Sequence, residues 1–116
     1  IAHAELLSRL GRYRYFLTLS AAEGFGLVPL EAMAMGTMVV GYDGFGGRHY
    51  MRPGENCEVA PYADIERVAE RLIEAVRTPA RSAEIAARGR TTAAQYSQES
   101  FRRSWVDEFR RVLPDA

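Results

Sequence analysis

A single cysteine, Cys57, rules out an internal disulfide, and two histidines, His3 and His49, are too few to build a Cys/His group with metal-ligand spacing. Charge of one sign is missing too: fifteen basic residues cancel fifteen acidic ones. That balance leaves no electrostatic footprint for nucleic acid and no polybasic patch for a membrane surface. No apolar run approaches the ~18 residues of a membrane span, and the N-terminus lacks the charged-then-apolar pattern of a secretory signal. Internal repeats and long linkers are absent as well. These absences predict a cytoplasmic domain in a reducing compartment, with Cys57 as an ordinary strand or loop residue. At 116 residues the chain suits one domain, and such a domain buries roughly two-thirds of its unfolded surface.

What is present concentrates in residues 20–36, Ser-Ala-Ala-Glu-Gly-Phe-Gly-Leu-Val-Pro-Leu-Glu-Ala-Met-Ala-Met-Gly. The apolar run at 15–19 predicts a buried parallel strand, and residues 30–35 predict a helix. Strand, glycine-containing loop, helix is the order that builds an anion site. Gly24 and Gly26 tolerate positive φ and let a ligand approach the main chain, while the N–H groups of Gly26, Leu27 and Val28 face out of the helix start. Pro29 donates nothing, but its fixed φ suits a first helical turn. A diphosphate against residues 26–28 gains direct hydrogen bonds plus ~0.3–1 kcal/mol from the helix dipole. Glu23 and Glu31 would repel phosphate, so they suit hydroxyl groups. Glu23, before the loop, can reach a sugar; Glu31, one turn into the helix, can chelate a ribose diol. A Glu near a helix start also serves the dipole alone, and a Gly-x-Gly pair after a strand is a weak signal. The whole run, rather than either pair alone, carries the signal.

That run, Glu23-Gly24-Phe25-Gly26-Leu27-Val28-Pro29-Leu30-Glu31-Ala32-Met33-Ala34-Met35-Gly36 with Thr37-Met38-Val39-Val40 after it, resembles the E-x7-E signature of retaining, family-four-type glycosyltransferases of the GT-B architecture (glycosyl transferases group 1). The resemblance implies a nucleotide-diphosphate sugar as donor substrate and no cofactor. Glu23 is then the catalytic acidic residue facing the donor sugar, Gly24, Phe25, Gly26, Leu27 and Val28 bind sugar and diphosphate, and Glu31 binds the ribose. It also implies hexosyl transfer to an acceptor hydroxyl with retention. Two departures stand out: Met38 where the family often has proline, and Arg48-His49-Tyr50 in place of a more usual acidic continuation.

Around this centre, residues 1–11 predict a helix stopped by Gly11, on which His3 is a surface or packing residue. Gly36 ends the signature helix, and residues 37–41 predict a second buried strand. The loop at 42–47 falls at the carboxyl edge of that strand, where open α/β sheets place ligands. There Arg48 is a candidate for phosphate and His49 for acid–base work, though both also suit a solvated loop. Asp43 is a lone carboxylate, and the lack of an Asp-x-Asp pair argues against a metal-held diphosphate. Residues 52–56 carry turn chemistry before a short third strand at 57–60. Asp64 is a good N-cap for a helix whose Ile65, Val68, Ala69, Leu72, Ile73 and Val76 form one amphipathic stripe. Thr78 and Pro79 start another helix running to about Gln95 with Gly89 as a weak point, and Ser97 caps a last one carrying Phe101, Trp105, Phe109, Val112 and Leu113 on its core face.

The expected fold is α/β: a partial Rossmann-like unit, the GT-B C-terminal kind, with a short parallel sheet of about three strands and flanking helices over residues 1–116. The resembling domain has about six strands, so the chain is expected to be part of a larger enzyme, with the first strands and an N-terminal acceptor domain upstream. The strand at 15–19 would then be an exposed apolar edge, open to a homodimer contact. No nucleic-acid partner and no transmembrane segment are expected; the full-length enzyme is cytoplasmic, with peripheral membrane attachment left open. The other reading is a non-catalytic nucleotide-binding or dimerisation module of the same fold. A glycoside hydrolase pair would flank one bond from opposite sides, which two Glu along one ligand do not; a flavodoxin-like or response-regulator domain would need an acidic cluster.

Overall fold

The computed structural model describes residues 3–20 and 27–96. Their order is α1 (His3–Leu10), β1 (Tyr15–Thr18), α2 (Leu27–Ala34), β2 (Met38–Gly41), a 3-10 turn (Gly46–His49), β3 (Glu58–Val59), α3 (Ile65–Arg77) and α4 (Pro79–Gln95). The three strands pair in parallel in the order β1-β2-β3, as the sequence leads one to expect. Register sets Tyr15 beside Met38 and Thr18 beside Gly41, then Gly41 beside Val59.

β2 is the middle strand, and every residue in it is buried. Its alternation feeds two cores. Val39 joins Leu30, Met33, Tyr50, Met51 and Cys57 on one face; Met38 and Val40 join Val68, Ala75 and Ile85 on the other. A parallel strand covered on both faces reads as a continuous apolar run, which is why Met-Val-Val was legible. α4 serves both cores, with Ile85 in one and Ala93 in the other.

β1 is the outer strand among the described residues, and Leu17 and Leu19 are about half exposed, as expected for an apolar edge. Helix ends follow local chemistry. Gly36 takes φ +78° after α2, Asp64 accepts a hydrogen bond from the Arg67 N–H at 3.0 Å, and Pro79 opens α4. Thr78 turns backward instead of capping α4: its hydroxyl donates to the Glu74 carbonyl at 2.8 Å.

Two sequence expectations are corrected. Of the expected stripe on α3 only Val68 is buried and Leu72 half-buried, with Ala75 buried beside them, whereas Ile65, Ala69, Ile73 and Val76 face outward. α3 packs against β2, β3 and α4 along one line only, where Val68 and Ala75 join Met38, Val40 and Ile85. Gly89 is no weak point either. α4 runs through it unbroken, and an added Cβ would lie 3.1 Å from the Asn56 carbonyl and 3.4 Å from Met33 Cγ, so glycine allows α2 and the 52–56 turn to approach. The expected helix from Ser97, with Trp105, lies outside the described residues.

Candidate functional site

β1 ends at Thr18 and α2 begins at Leu27, so the loop between them leaves the carboxyl edge of the sheet and returns as a helix start. That edge is tightly built. Gly41, at φ +143°, has no Cβ because one would fall 2.0 Å from the Thr18 carbonyl oxygen. The same oxygen accepts the Tyr42 N–H at 2.8 Å, and the Gly41 carbonyl accepts the Ala60 N–H at 2.8 Å. Three strand ends are thereby locked side by side.

Of the proposed donor-site residues, Glu23, Gly24, Phe25 and Gly26 lie outside the described residues. Leu27 and Val28 form the first turn of α2, with the Val28 side chain exposed, and Pro29 follows within that turn. Their main-chain N–H groups lie where a helix leaves its donors without intrahelical partners. Glu31 sits one turn further on. It is half-buried, and its Oε2 atom is cut off from solvent. A glutamate serving only the helix dipole gains nothing from such withdrawal, because desolvating a carboxylate costs free energy. The helix is otherwise apolar on its inner face, where Leu30, Ala32 and Met33 are buried.

The loop after β2 is stitched to itself. Asp43 accepts the Phe45 N–H through Oδ1 and the Arg48 Nε–H through Oδ2, both at 2.8 Å. The Arg48 guanidinium also stacks 4.5 Å over the Phe45 ring. Arg48, a candidate for phosphate, is thus already paired. His49 is exposed and borders a separate cavity of about 240 Å³ shared with Asn56, Arg88 and Thr92. Among the described residues there is no group of three or more His, Cys, Asp or Glu that could hold a metal ion, and no helix is long and apolar enough to cross a membrane. Burial pushes the Cys57 thiol up to about 12, which makes it inert rather than nucleophilic.

A cavity of about 470 Å³ is at the opposite edge, where Arg14, Met38 and Gly36 meet Pro79, Ala83, Ala86, Ala87 and Arg90 of α4. Small side chains on α4 leave this gap; it adjoins no helix start from a sheet end. Open α/β sheets place ligands at the carboxyl edge, where the cavity beside β2 and β3 is about 360 Å³.

A family model for glycosyl transferases group 1 matches residues 2–92. The chain belongs to that family. Among curated proteins it is similar to the UDP-N-acetylglucosamine--peptide N-acetylglucosaminyltransferase GtfA subunit of Streptococcus gordonii, 26% identical over 122 residues, covering 98% of this chain and 24% of that protein. The GtfA subunit of Streptococcus pneumoniae serotype 4 is 37% identical over 60 residues, covering 51% of this chain and 12% of that protein. The poly(glycerol-phosphate) alpha-glucosyltransferase of Bacillus subtilis is 29% identical over 101 residues, 84% of this chain and 15% of that protein. The chain thus spans a quarter or less of the length of these relatives. The crystal structure of the C-terminal domain of a glycosyl transferase group 1 family protein (LpcC) from Francisella tularensis superposes with a TM-score of 0.75 at 22% identity, covering 81% of this chain and 48% of that one. The fold is therefore part of a GT-B C-terminal domain.

Sequence reasoning missed two side chains of this edge: Phe45, held at φ +62°, and Arg71 of α3, which reaches the same cavity. Phe45 was signalled by its place among Gly44, Gly46 and Gly47; Arg71 looks like any other arginine on a charged helix face.

Proposed function

We propose that this chain is the donor-binding part of a glycosyltransferase that takes a hexose from a nucleotide-diphosphate sugar and passes it to an acceptor hydroxyl with retention. The observation that carries this reading is Glu31, half-withdrawn from water one turn into a helix that starts at the carboxyl edge of a parallel sheet. The pyrophosphate rests against the main chain at 26–28, Glu31 chelates the ribose diol, and Glu23 faces the hexose. As the glycosidic bond stretches, negative charge gathers on the leaving diphosphate, and fixed N–H donors stabilise it without rearranging. Main-chain donors and the helix dipole supply the positive end, so this reading calls for no divalent cation. The acceptor side belongs to further chain: the S. gordonii relative is matched over only 24% of its length.

Names of the relatives make UDP sugars the first donors to test. Calorimetric titration of UDP-N-acetylglucosamine and UDP-glucose into the enzyme carrying this chain should show a loss of about tenfold or more for Glu31→Gln, since a hydrogen bond to a charged group contributes ~1.5–3 kcal/mol. Unchanged affinity in a variant with an intact circular dichroism spectrum would refute the ribose role. It would favour a non-catalytic module that keeps the fold.

A further inference from the structure

Beside the strand ends lies a cavity of about 360 Å³, bounded by Tyr42, Asp43, Phe45, Arg48, Tyr62 and Arg71. It opens at the carboxyl ends of β2 and β3, and strands are ~4.8 Å apart, so it lies one to two strand spacings from the end of β1 where the donor loop departs. The cavity is on the edge proposed for the donor, yet neither residues 23–28 nor Glu31 line it, and Arg48, the sequence candidate for phosphate that does, is already paired with Asp43.

Its composition is unlike a packing gap. Phe45 is held on the positive side of φ, at +62° with ψ −47°, a conformation that costs a non-glycine residue ~1–3 kcal/mol. Its ring gains no core contact in return, being 51% exposed. Tyr62 stands 58% exposed across the cavity, its ring edge-on to Tyr42 at 5.5 Å. The fold therefore spends strain and exposed aromatic surface at one place. The charges are also unequal. Asp43 neutralises Arg48 at 2.8 Å, while Arg71 pairs with no carboxylate among the described residues, leaving one positive charge in surplus.

We infer that this cavity is a second ligand site, taking a phosphorylated sugar or polyol unit of the acceptor. The C–H face of such a unit lies against the Phe45 and Tyr62 rings, whose faces carry the negative end of the ring quadrupole. Its phosphate meets Arg71, whose planar fork suits phosphate oxygens. An acceptor must bring its hydroxyl to the donor sugar, and a site on the same sheet edge holds it there. The word acceptor rests on the donor reading above; the ligand chemistry does not.

The test is an NMR titration of the chain with glucose 1-phosphate, methyl glucoside and inorganic phosphate, in the parent and in Phe45→Gly, Arg71→Gln and Glu31→Gln. Phe45→Gly relieves the backbone strain and Arg71 is exposed, so neither exchange threatens folding. Glucose 1-phosphate should move the amide signals of residues 43–48 and 59–62 and bind at least about fivefold more tightly than either neutral sugar or phosphate, the ratio that ~1 kcal/mol gives. Arg71→Gln should abolish the preference for the phosphorylated sugar, Phe45→Gly should weaken it about fivefold, and Glu31→Gln should leave it unchanged. The proposal is overturned if those signals stay fixed, if phosphate or methyl glucoside alone binds as well, or if UDP displaces the sugar phosphate, which would put it in the donor site. Failure of the donor reading shows separately, as nucleotide-sugar binding that survives Glu31→Gln.

Discussion

Gly41→Ala should be among the most damaging small substitutions in the chain, and its cost can be worked from geometry. Gly41 sits at φ +143°, and its added Cβ would fall 2.0 Å from the Thr18 oxygen and 2.9 Å from the Thr18 carbonyl carbon. Both are backbone atoms, so no rotamer change relieves the contact. Alanine at this φ carries ~1–3 kcal/mol of strain. Pushing β1 aside adds ~1–3 kcal/mol of overpacking. It also pulls the Thr18 carbonyl from the Tyr42 N–H, now at 2.8 Å, losing a further ~1 kcal/mol. The sum, on the order of 3–7 kcal/mol, is a large part of the ~5–15 kcal/mol that holds a domain folded.

Gly36→Ala supplies the control. Gly36 also has positive φ, +78°, but its nearest neighbour to a new Cβ is Arg90 Cζ at 3.9 Å, so only the conformational cost of ~1–2 kcal/mol applies. Urea unfolding followed by circular dichroism should place the Gly36→Ala midpoint modestly below the parent. Gly41→Ala should fall more than about 1 M lower, given slopes of ~1–3 kcal/mol per molar. Equal midpoints for the two variants would refute the claim that a steric lock between β1 and β2 closes this edge.

Other expectations follow from single groups. The Thr37 hydroxyl proton is shared between the Leu10 carbonyl at 2.7 Å and the Tyr13 carbonyl at 3.0 Å, so Thr37→Val should cost ~1–3 kcal/mol by thermal or urea unfolding; a loss under about 0.5 kcal/mol would show the bond to be idle. Asn56 is buried with its amide spent on the Tyr50 carbonyl and Thr92 hydroxyl and its oxygen on the Arg52 N–H, so Asn56→Ala should cost more than Thr37→Val because it strands three partners, and the reverse order counts against it. The Cys57 thiol, raised by burial from 9.0 to about 12, favours the folded state as the neutral form; that stabilisation is complete below pH 9 and declines as pH rises from about 9 toward 12. The parent should therefore lose unfolding free energy faster than Cys57→Ala between pH 9 and 11, and parallel pH profiles would contradict the assigned burial.

Elements whose signals are local were legible in the sequence. Gly36 after α2, the Asp64 cap, Pro79 at the start of α4 and the 52–56 turn each act within a few residues, and each was placed correctly. What escaped depends on a partner distant in sequence. Periodicity gave α3 a stripe but could not say that only Val68 and Leu72 of its six residues would face the core. Gly89 read as a helix defect because the Asn56 carbonyl that needs its missing side chain is far away along the chain. Arg48 read as open to phosphate because nothing local shows that Asp43 closes on it. At the proposed donor site the run suggested the roles, while the structure adds the half-buried state of Glu31, which is a tertiary property.

The two edges of the sheet offer a ligand different chemistry. The larger cavity opens where strands begin, beside alanines of α4, and it offers no helix start rising from a strand end. At the other edge every parallel strand ends together, and the chain leaving β1 returns as the N-terminus of α2. Helix starts carry partial positive charge and unsatisfied N–H donors, so an anionic ligand is stabilised at that edge even where the walls enclose less volume. A carboxylate held partly out of water at the same edge suits hydroxyl groups better than phosphate, and that is the orientation proposed above for a nucleotide sugar. The cavity bounded by Phe45, Tyr62 and Arg71 opens at the same edge, so the proposed acceptor site and the proposed donor site share one side of the sheet.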